Sequence, residues 1–277
     1  MISVITPVYN GEKYIKDCIK VVVDQKCSNI EHIIVDGGST DATVDIIKKS
    51  AQSYPHIRWI SEKDRGQSDA MNKGIAMTKG NIIAILNVDD FYEPNVLNRI
   101  SAIFDKLPEP SLLVGNCNIL DDDNNLKRIN RPKRLKITDL LVGYNINPFP
   151  FNPSAYFYHK SLHEKVGLYE VDEHYAMDVD FLLKAVQVAN VKYVDEIWGN
   201  YRQISGTKTV NDINSGQNAI RLRQLMQKYL RKLPVYKQGL VAVKREYYKA
   251  EKRLEYFSKK PNEILPRIGK RLGIRTS

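Results

Sequence analysis

Two adjacent carboxylates follow directly on a wholly apolar run, Ile82-Ile83-Ala84-Ile85-Leu86 leading into Asn87-Val88-Asp89-Asp90. Ionised carboxylates at such a junction need a partner. Hard oxygen ligands suit Mn²⁺ or Mg²⁺, which take one or two carboxylates together with the phosphate oxygens of a substrate; a cap for the helix starting near Pro94 is the competing reading. A second pair, Asp178 and Asp180, precedes the helical run Phe181-Leu182-Leu183. One member can cap that helix, and the other can project into a cleft as a general base toward a hydroxyl nucleophile. The segment Glu62–Gly74 opens a helix with cations and small residues, so a phosphate could dock at its free N–H groups with Arg65 as a forked donor, a plain surface loop being an equal competitor. The five histidines show no ligand spacing, and no nucleophile elbow, Walker loop, dinucleotide fingerprint or zinc pattern occurs.

The elements that must hold these groups alternate in type. Ile2–Thr6, His32–Val35, Ile57–Ile60 and Ile82–Leu86 read as buried strands. Helices follow each: one with Ile15, Cys18, Ile19 and Val22 on its apolar side, one started by Thr40-Asp41, one over 67–78, and one opened by Pro94. Such alternation predicts an α/β fold with a mainly parallel, twisted, Rossmann-like sheet and helices on both faces, its ligands bound at the carboxyl ends of the strands. The polar stretches Pro7–Gly11, Asp36–Asp41 and Asn87–Asp90 fall at three of those ends. Farther on, 112–114 and 116–120 read as two strands, 121–125 as an exposed turn, and Arg131-Pro132-Lys133-Arg134 as a solvated basic loop.

Taken in order, Ser3–Asn10, Ile34–Asp41, Asp69-Ala70-Met71-Asn72-Lys73-Gly74, Asn87–Asp90 and Met177–Asp180 closely resemble the motifs of family 2 glycosyltransferases. These are GT-A-fold, inverting, metal-dependent enzymes of bacterial surface-polysaccharide synthesis, and the resemblance covers about residues 1–210. It implies a nucleotide-sugar donor, a UDP-sugar first among them, a saccharide or lipid-linked saccharide acceptor, and Mn²⁺ or Mg²⁺ on the diphosphate. It implies Asp178 as catalytic base, Asp89 and Asp90 as metal ligands, and a donor-binding set of Thr6, Pro7, Tyr9, Asp36, Arg65, Asp69, Asn72, Asn87, Val88, Asp90 and Arg202. Tyr9 would stack on the base, and Tyr201-Arg202 with Gly206-Thr207 would form a late loop over the diphosphate. The sequence departs from the family pattern at Gly37, Asn87, Asn152 and Gln203. The implied organisation is a catalytic domain over 1–212, divided near 110 into donor and acceptor halves, and a helical extension over 213–277.

Composition bounds the partners. The 277 residues carry 42 Lys and Arg against 32 Asp and Glu, and 43% are hydrophobic, enough for a substantial core. The longest apolar run is far short of a membrane span. The first residues lack a basic leader pattern and read as a strand, and Cys18, Cys27 and Cys117 are scattered, so a cytoplasmic setting is expected. The basic excess is local: residues 217–277 hold 17 Lys and Arg against 4 Asp and Glu, whereas 1–216 hold 25 against 28. Amphipathic helices are predicted over 217–233 and 235–258, with a short basic segment over 264–274. Such a tail suits the anionic inner leaflet of the cell membrane, packing against the catalytic domain being the alternative. Nucleic-acid binding is disfavoured because Tyr236, Tyr247 and Phe257 fall on a helix stripe rather than an open platform, and a nucleotidyltransferase would need a glycine-rich motif that is absent.

Overall fold

A computed structural model describes residues 1–173, 176–207, 210–211 and 216–261. Strand β1 (Ile2–Val8) is buried along its whole length, because the two-residue period sends Ile2, Val4 and Val8 to one helical layer and Ile5 to the other. Its parallel neighbours are β2 (Ile30–Asp36), flanked in turn by β3 (Ile57–Ser61), and β4 (Ile82–Ile85). Helix α1 (Ile15–Val23) buries Ile15, Cys18, Ile19 and Val22 beside α2 (Thr43–Ser53). On the opposite face lies α3 (Gln67–Met77). Gly74 permits its close approach, since a Cβ there would stand 2.4 Å from Ile5 Cγ2.

Beyond β5 (Phe91–Tyr92) and α4 (Val96–Phe104), the chain adds β6 (Ser111–Leu120), β7 (Leu126–Asn130), α5 (Ile137–Leu140), β8 (Tyr156–His159), α6 (Leu162–Val166), α7 (Met177–Ala185) and β9 (Asn190–Arg202). Among the described residues the sheet order is β3-β2-β1-β4-β8-β6-β9-β5, with β7 beside β6. β8 is antiparallel to both β4 and β6, and β9 is parallel to β6. The long strands β6 and β9 therefore share the direction of β1–β4, and the sheet is mainly parallel with helices on both faces.

Several local expectations change. Residues 111–120 form one strand rather than two, because Gly115 continues the strand where a Cβ would meet the Trp198 ring at 2.4 Å. Tyr201 and Arg202 end a thirteen-residue strand instead of sitting in a loop. Helix α4 starts at Val96, after Asn95 at φ 62°, not at Pro94. The basic stretch 131–134 is an exposed loop, as expected, and its charges are also engaged: Arg131 and Lys133 pair with Asp195, and Arg134 grips Glu251 while lying 4.1 Å over the Tyr248 ring.

Glu251 and Tyr248 belong to the C-terminal helices, α8 (Gln217–Lys232) and α9 (Val235–Lys259). α8 buries Leu225, Met226 and Tyr229 against α7, and Tyr229 donates a 2.8 Å hydrogen bond to the buried Asp180. α9 lies on α5 through Val241 and Tyr248. The side it turns to the domain is not its apolar stripe: Tyr236, Leu240, Val243, Tyr247 and Leu254 are all exposed. The segment 264–274 lies outside the described residues. Among those described, no helix is long and apolar enough to cross a membrane.

Candidate active site

The strand ends of β1, β2 and β4 adjoin, as the parallel register requires. The first two loops interlock: Asn10 accepts from Thr40 N, Gly11 N donates to Thr43 Oγ1, and Ala42 N donates to Glu12 Oε2. Tyr9, 63% exposed, projects from this fixed turn, an open apolar face at the strand end. Asp36 is fully buried beneath it. Its carboxylate accepts from Gly38 N, Ser39 N, Ser39 Oγ and Ser61 Oγ, so it shapes the loop. A carboxylate from elsewhere stands beside that loop, because a Cβ on Gly37 would lie 2.5 Å from Asp64 Oδ2. Asp64 is anchored by Gly66 N at 2.8 Å, and nothing in the strand pattern marked it.

After β4, Asp89 and Asp90 part company. Asp90 is 1% exposed, with Oδ2 accepting from Asn87 Nδ2 at 2.9 Å and Asn152 Nδ2 at 2.8 Å, and Oδ1 accepting from Arg202 N at 3.2 Å. Burial and the neighbouring Asp89 both raise its pKa. Its oxygens accept from protein donors, and through them Asp90 ties β4, β9 and the segment before β8 together. Asp89 is half-buried, and burial holds its carboxyl above the ordinary range. Among the described residues no other side chain hydrogen-bonds it. No cluster of three or more His, Cys, Asp or Glu that could hold a metal occurs among the described residues. One desolvated, cleft-side carboxylate nevertheless fits a divalent cation whose remaining ligands are phosphate oxygens and water.

Arg202 closes this corner, donating Nε to the Asp89 carbonyl while its guanidinium lies 5.5 Å from the Tyr14 ring centre and 5.8 Å from that of Phe91. Asn87 bridges the same corner to α3 by accepting from Gln67 Nε2 at 2.8 Å, and Val88 packs toward Gly11. Residues 204–207 border a pocket of about 320 Å³ together with Asn10, Glu12, Lys13, Tyr14 and Asp41.

Other expected donor contacts point inward. Thr6 is fully buried and bonds His32 Nε2 at 2.9 Å, and burial lowers the His32 pKa to about 3, which keeps that ring neutral. Pro7 is buried within β1. Asn72 clamps the backbone of Tyr169, donating to its carbonyl and accepting from its N–H. Asp69 accepts from Arg65 N and pairs with Lys73, so it fastens the start of α3 and leaves Arg65 exposed beside it. Thr6, Asn72 and Asp69 are thus each engaged in holding the scaffold.

Asp178 lies in the first turn of α7. Neither it nor Asp180 makes a side-chain cap; Asp180 is taken by Tyr229 and by Lys184 at 2.7 Å. Asp178 accepts a hydrogen bond from Tyr156 Oη at 3.3 Å. Burial raises its pKa to about 6, and that bond opposes the rise. A carboxylate so poised is ionised at neutral pH yet basic enough to take a proton. Behind it, Tyr158 Oη lies 3.2 Å from Tyr169 Oη and 3.1 Å from His163 Nε2, forming an aromatic wall.

Comparison with known proteins places this arrangement. The chain is 29% identical over 214 residues to the chondroitin synthase of Escherichia coli, covering 76% of this chain and 30% of that protein, so it spans about a third of that relative's length. The solved structure of S. aureus TarS with UDP-GlcNAc superposes with TM-score 0.66 at 18% identity, over 94% of this chain and 75% of that one. The mannosyltransferase PcManGT from Pyrobaculum calidifontis, solved with GDP-Man and Mn²⁺, gives TM-score 0.61 at 17% identity, over 98% and 79%. These structures share the GT-A fold seen here. The pattern of glycosyl transferase family 2 matches residues 3–166, the greater part of the chain and the ends of β1, β2 and β4, and the chain belongs to that family.

Proposed function

We propose that the chain transfers a sugar from a UDP-sugar to an acceptor hydroxyl with inversion, Asp178 acting as general base. One observation carries the reading: Asp178, with its pKa raised to about 6, stands in the first turn of α7 with Tyr156 as its hydrogen-bond donor. The base stacks on Tyr9, and Arg65 and Arg202 face the diphosphate. Asp89 would hold Mn²⁺ or Mg²⁺, which when bound neutralises charge developing on the leaving diphosphate. Asp178 takes the proton of the acceptor hydroxyl as its oxygen bonds to the anomeric carbon; the bond from that carbon to the diphosphate oxygen breaks on the opposite face, and a nucleoside diphosphate leaves. One displacement inverts the centre, so an α-linked donor yields a β-glycoside.

The TarS complexes with UDP and UDP-GlcNAc support a uridine donor, and PcManGT with Mn²⁺ supports the metal. The chondroitin synthase relative supports a growing polysaccharide as acceptor. The basic residues of 217–232 and 260–277, outside α9, support a lipid-linked acceptor at an anionic inner leaflet, approached peripherally from the cytoplasm.

The test is thermal shift with UDP, GDP and a short RNA, each with Mn²⁺, followed by nucleotide-sugar hydrolysis and transfer by wild type and Asp178→Asn. UDP should stabilise both proteins, and the variant should transfer nothing. Stabilisation by RNA alone, or undiminished transfer by Asp178→Asn, overturns the reading.

A further inference from the structure

We infer that α9 is a self-association seam through which two copies of this chain pair in antiparallel orientation. Tyr236, Leu240, Val243, Tyr247, Ala250 and Leu254 follow one another at alternating intervals of four and three residues. The six positions span eighteen residues in five intervals, 3.6 residues each, so they form one unbroken stripe along a single side of the helix. The stripe is also bare: Tyr236 is 71% exposed, Val243 69%, Tyr247 62% and Leu254 71%. Val241 and Tyr248 attach the helix to the domain from another side, and a groove of about 430 Å³ runs along Tyr247, Ala250 and Leu254. A contiguous apolar patch of this kind marks an interaction site.

The flanking charges choose the occupant. Lys244 and Glu251 border the seam on one side, Glu246 and Arg253 on the other. Antiparallel pairing brings like borders together, so Glu246 of one copy meets Arg253 of the other. Parallel pairing brings unlike borders together and sets Glu246 against Glu251, a repulsive contact. An anionic bilayer is disfavoured by the same residues, since a helix lying on lipid carries Lys and Arg along its borders and this one carries a glutamate on each. The self-complementary pattern matches a two-fold, isologous contact. Lys244 and Glu251 already bond Asp139 and Arg134 of the domain, which fixes the helix before pairing and lowers the entropic cost of association. Glu246 and Arg253 are the pair that discriminates.

Sedimentation velocity and light scattering on the full chain at tens of micromolar should show a dimer. Val243→Glu/Tyr247→Glu alters only exposed positions and should give a monomer with an unchanged melting temperature. Glu246→Arg should weaken dimerisation roughly tenfold, the scale of two exposed ion pairs turned repulsive, and Glu246→Arg/Arg253→Glu should restore it. Strengthening by Glu246→Arg overturns the antiparallel assignment. A monomeric full chain overturns the seam altogether, whether the stripe then binds phosphatidylglycerol vesicles or is bared for pairing only by removing residues 262–277.

Discussion

Replacing Tyr156 by Phe removes one hydroxyl from a fully buried ring and one hydrogen bond from Asp178. At 3.3 Å this bond is long, so its contribution lies below the usual 1.5–3 kcal/mol for a bond to a charged group, at about 1 kcal/mol. The hydroxyl favours the ionised carboxylate, and its loss raises the Asp178 pKa. Since one pKa unit corresponds to about 1.4 kcal/mol, the rise is somewhat under one unit, from about 6 toward ~7. The base must be deprotonated to act, so activity falls as pH drops through the pKa. For a full unit, the ionised fraction at pH 6 would drop from about one half to about one tenth, roughly fivefold, while at pH 8.5 it would hardly change. The assay is the pH profile of kcat/KM from nucleoside diphosphate release, which reports the free enzyme. A proportional loss at every pH, with the acid limb unmoved, would refute the reasoning: Tyr156 would then support packing alone.

Other outcomes follow from neighbouring contacts. Asn152→Leu deprives Asp90 of a donor and loosens the corner that aims Asp89, so Mn²⁺-dependent donor affinity should fall about 10–100-fold by calorimetry while metal-free UDP binding changes little. Gly74→Ala places a methyl 2.4 Å from Ile5 Cγ2, which should destabilise the protein by about 1–3 kcal/mol in urea unfolding. Tyr229→Phe leaves the buried Asp180 short of a donor, at about 1–3 kcal/mol, and hydrogen exchange should quicken in α7 and α8 together.

The first hundred residues were legible because both periods are clean there: β4 is an apolar run of strand length, β1 and β2 hold short apolar runs such as Ile33–Val35, and α1 shows its buried residues at helical spacing. The later half hid its strands. β8 has only four residues, and β9 carries charges along much of its length because its first half is only half-buried. Site residues divided similarly. Asp178 sits on a strong local pattern, whereas the different fates of Asp89 and Asp90 depend on Asn152, sixty-two residues away, and on Arg202 at the end of β9. Adjacent carboxylates in a sequence carry no mark of which one the fold will enclose. Asp64 was missed for a related reason: its position beside Gly37 arises from two loops meeting, not from either loop's composition. The stripe on α9 was visible as a pattern, but its exposure was set by Asp139 and Arg134, which draw the helix down on a different side.

The short passage from Asn152 to Tyr156 works as a fixed ruler. Asn152 reaches back to the Asp90 carboxylate, and four residues later Tyr156 touches that of Asp178. Between them a 3₁₀ turn over Pro153–Ala155 is wedged against β9, where a Cβ on Gly199 would strike Ser154 Oγ at 2.0 Å. The Asp89-Asp90 corner and Asp178 are thus spaced by one stiff piece of backbone and not by the docking of two halves. A chimera that changes donor preference by exchanging residues before 110 keeps this spacing only if Asp90 and Asn152 still recognise each other. A single-residue insertion between 152 and 156 would leave every functional side chain in place by name and separate them in space.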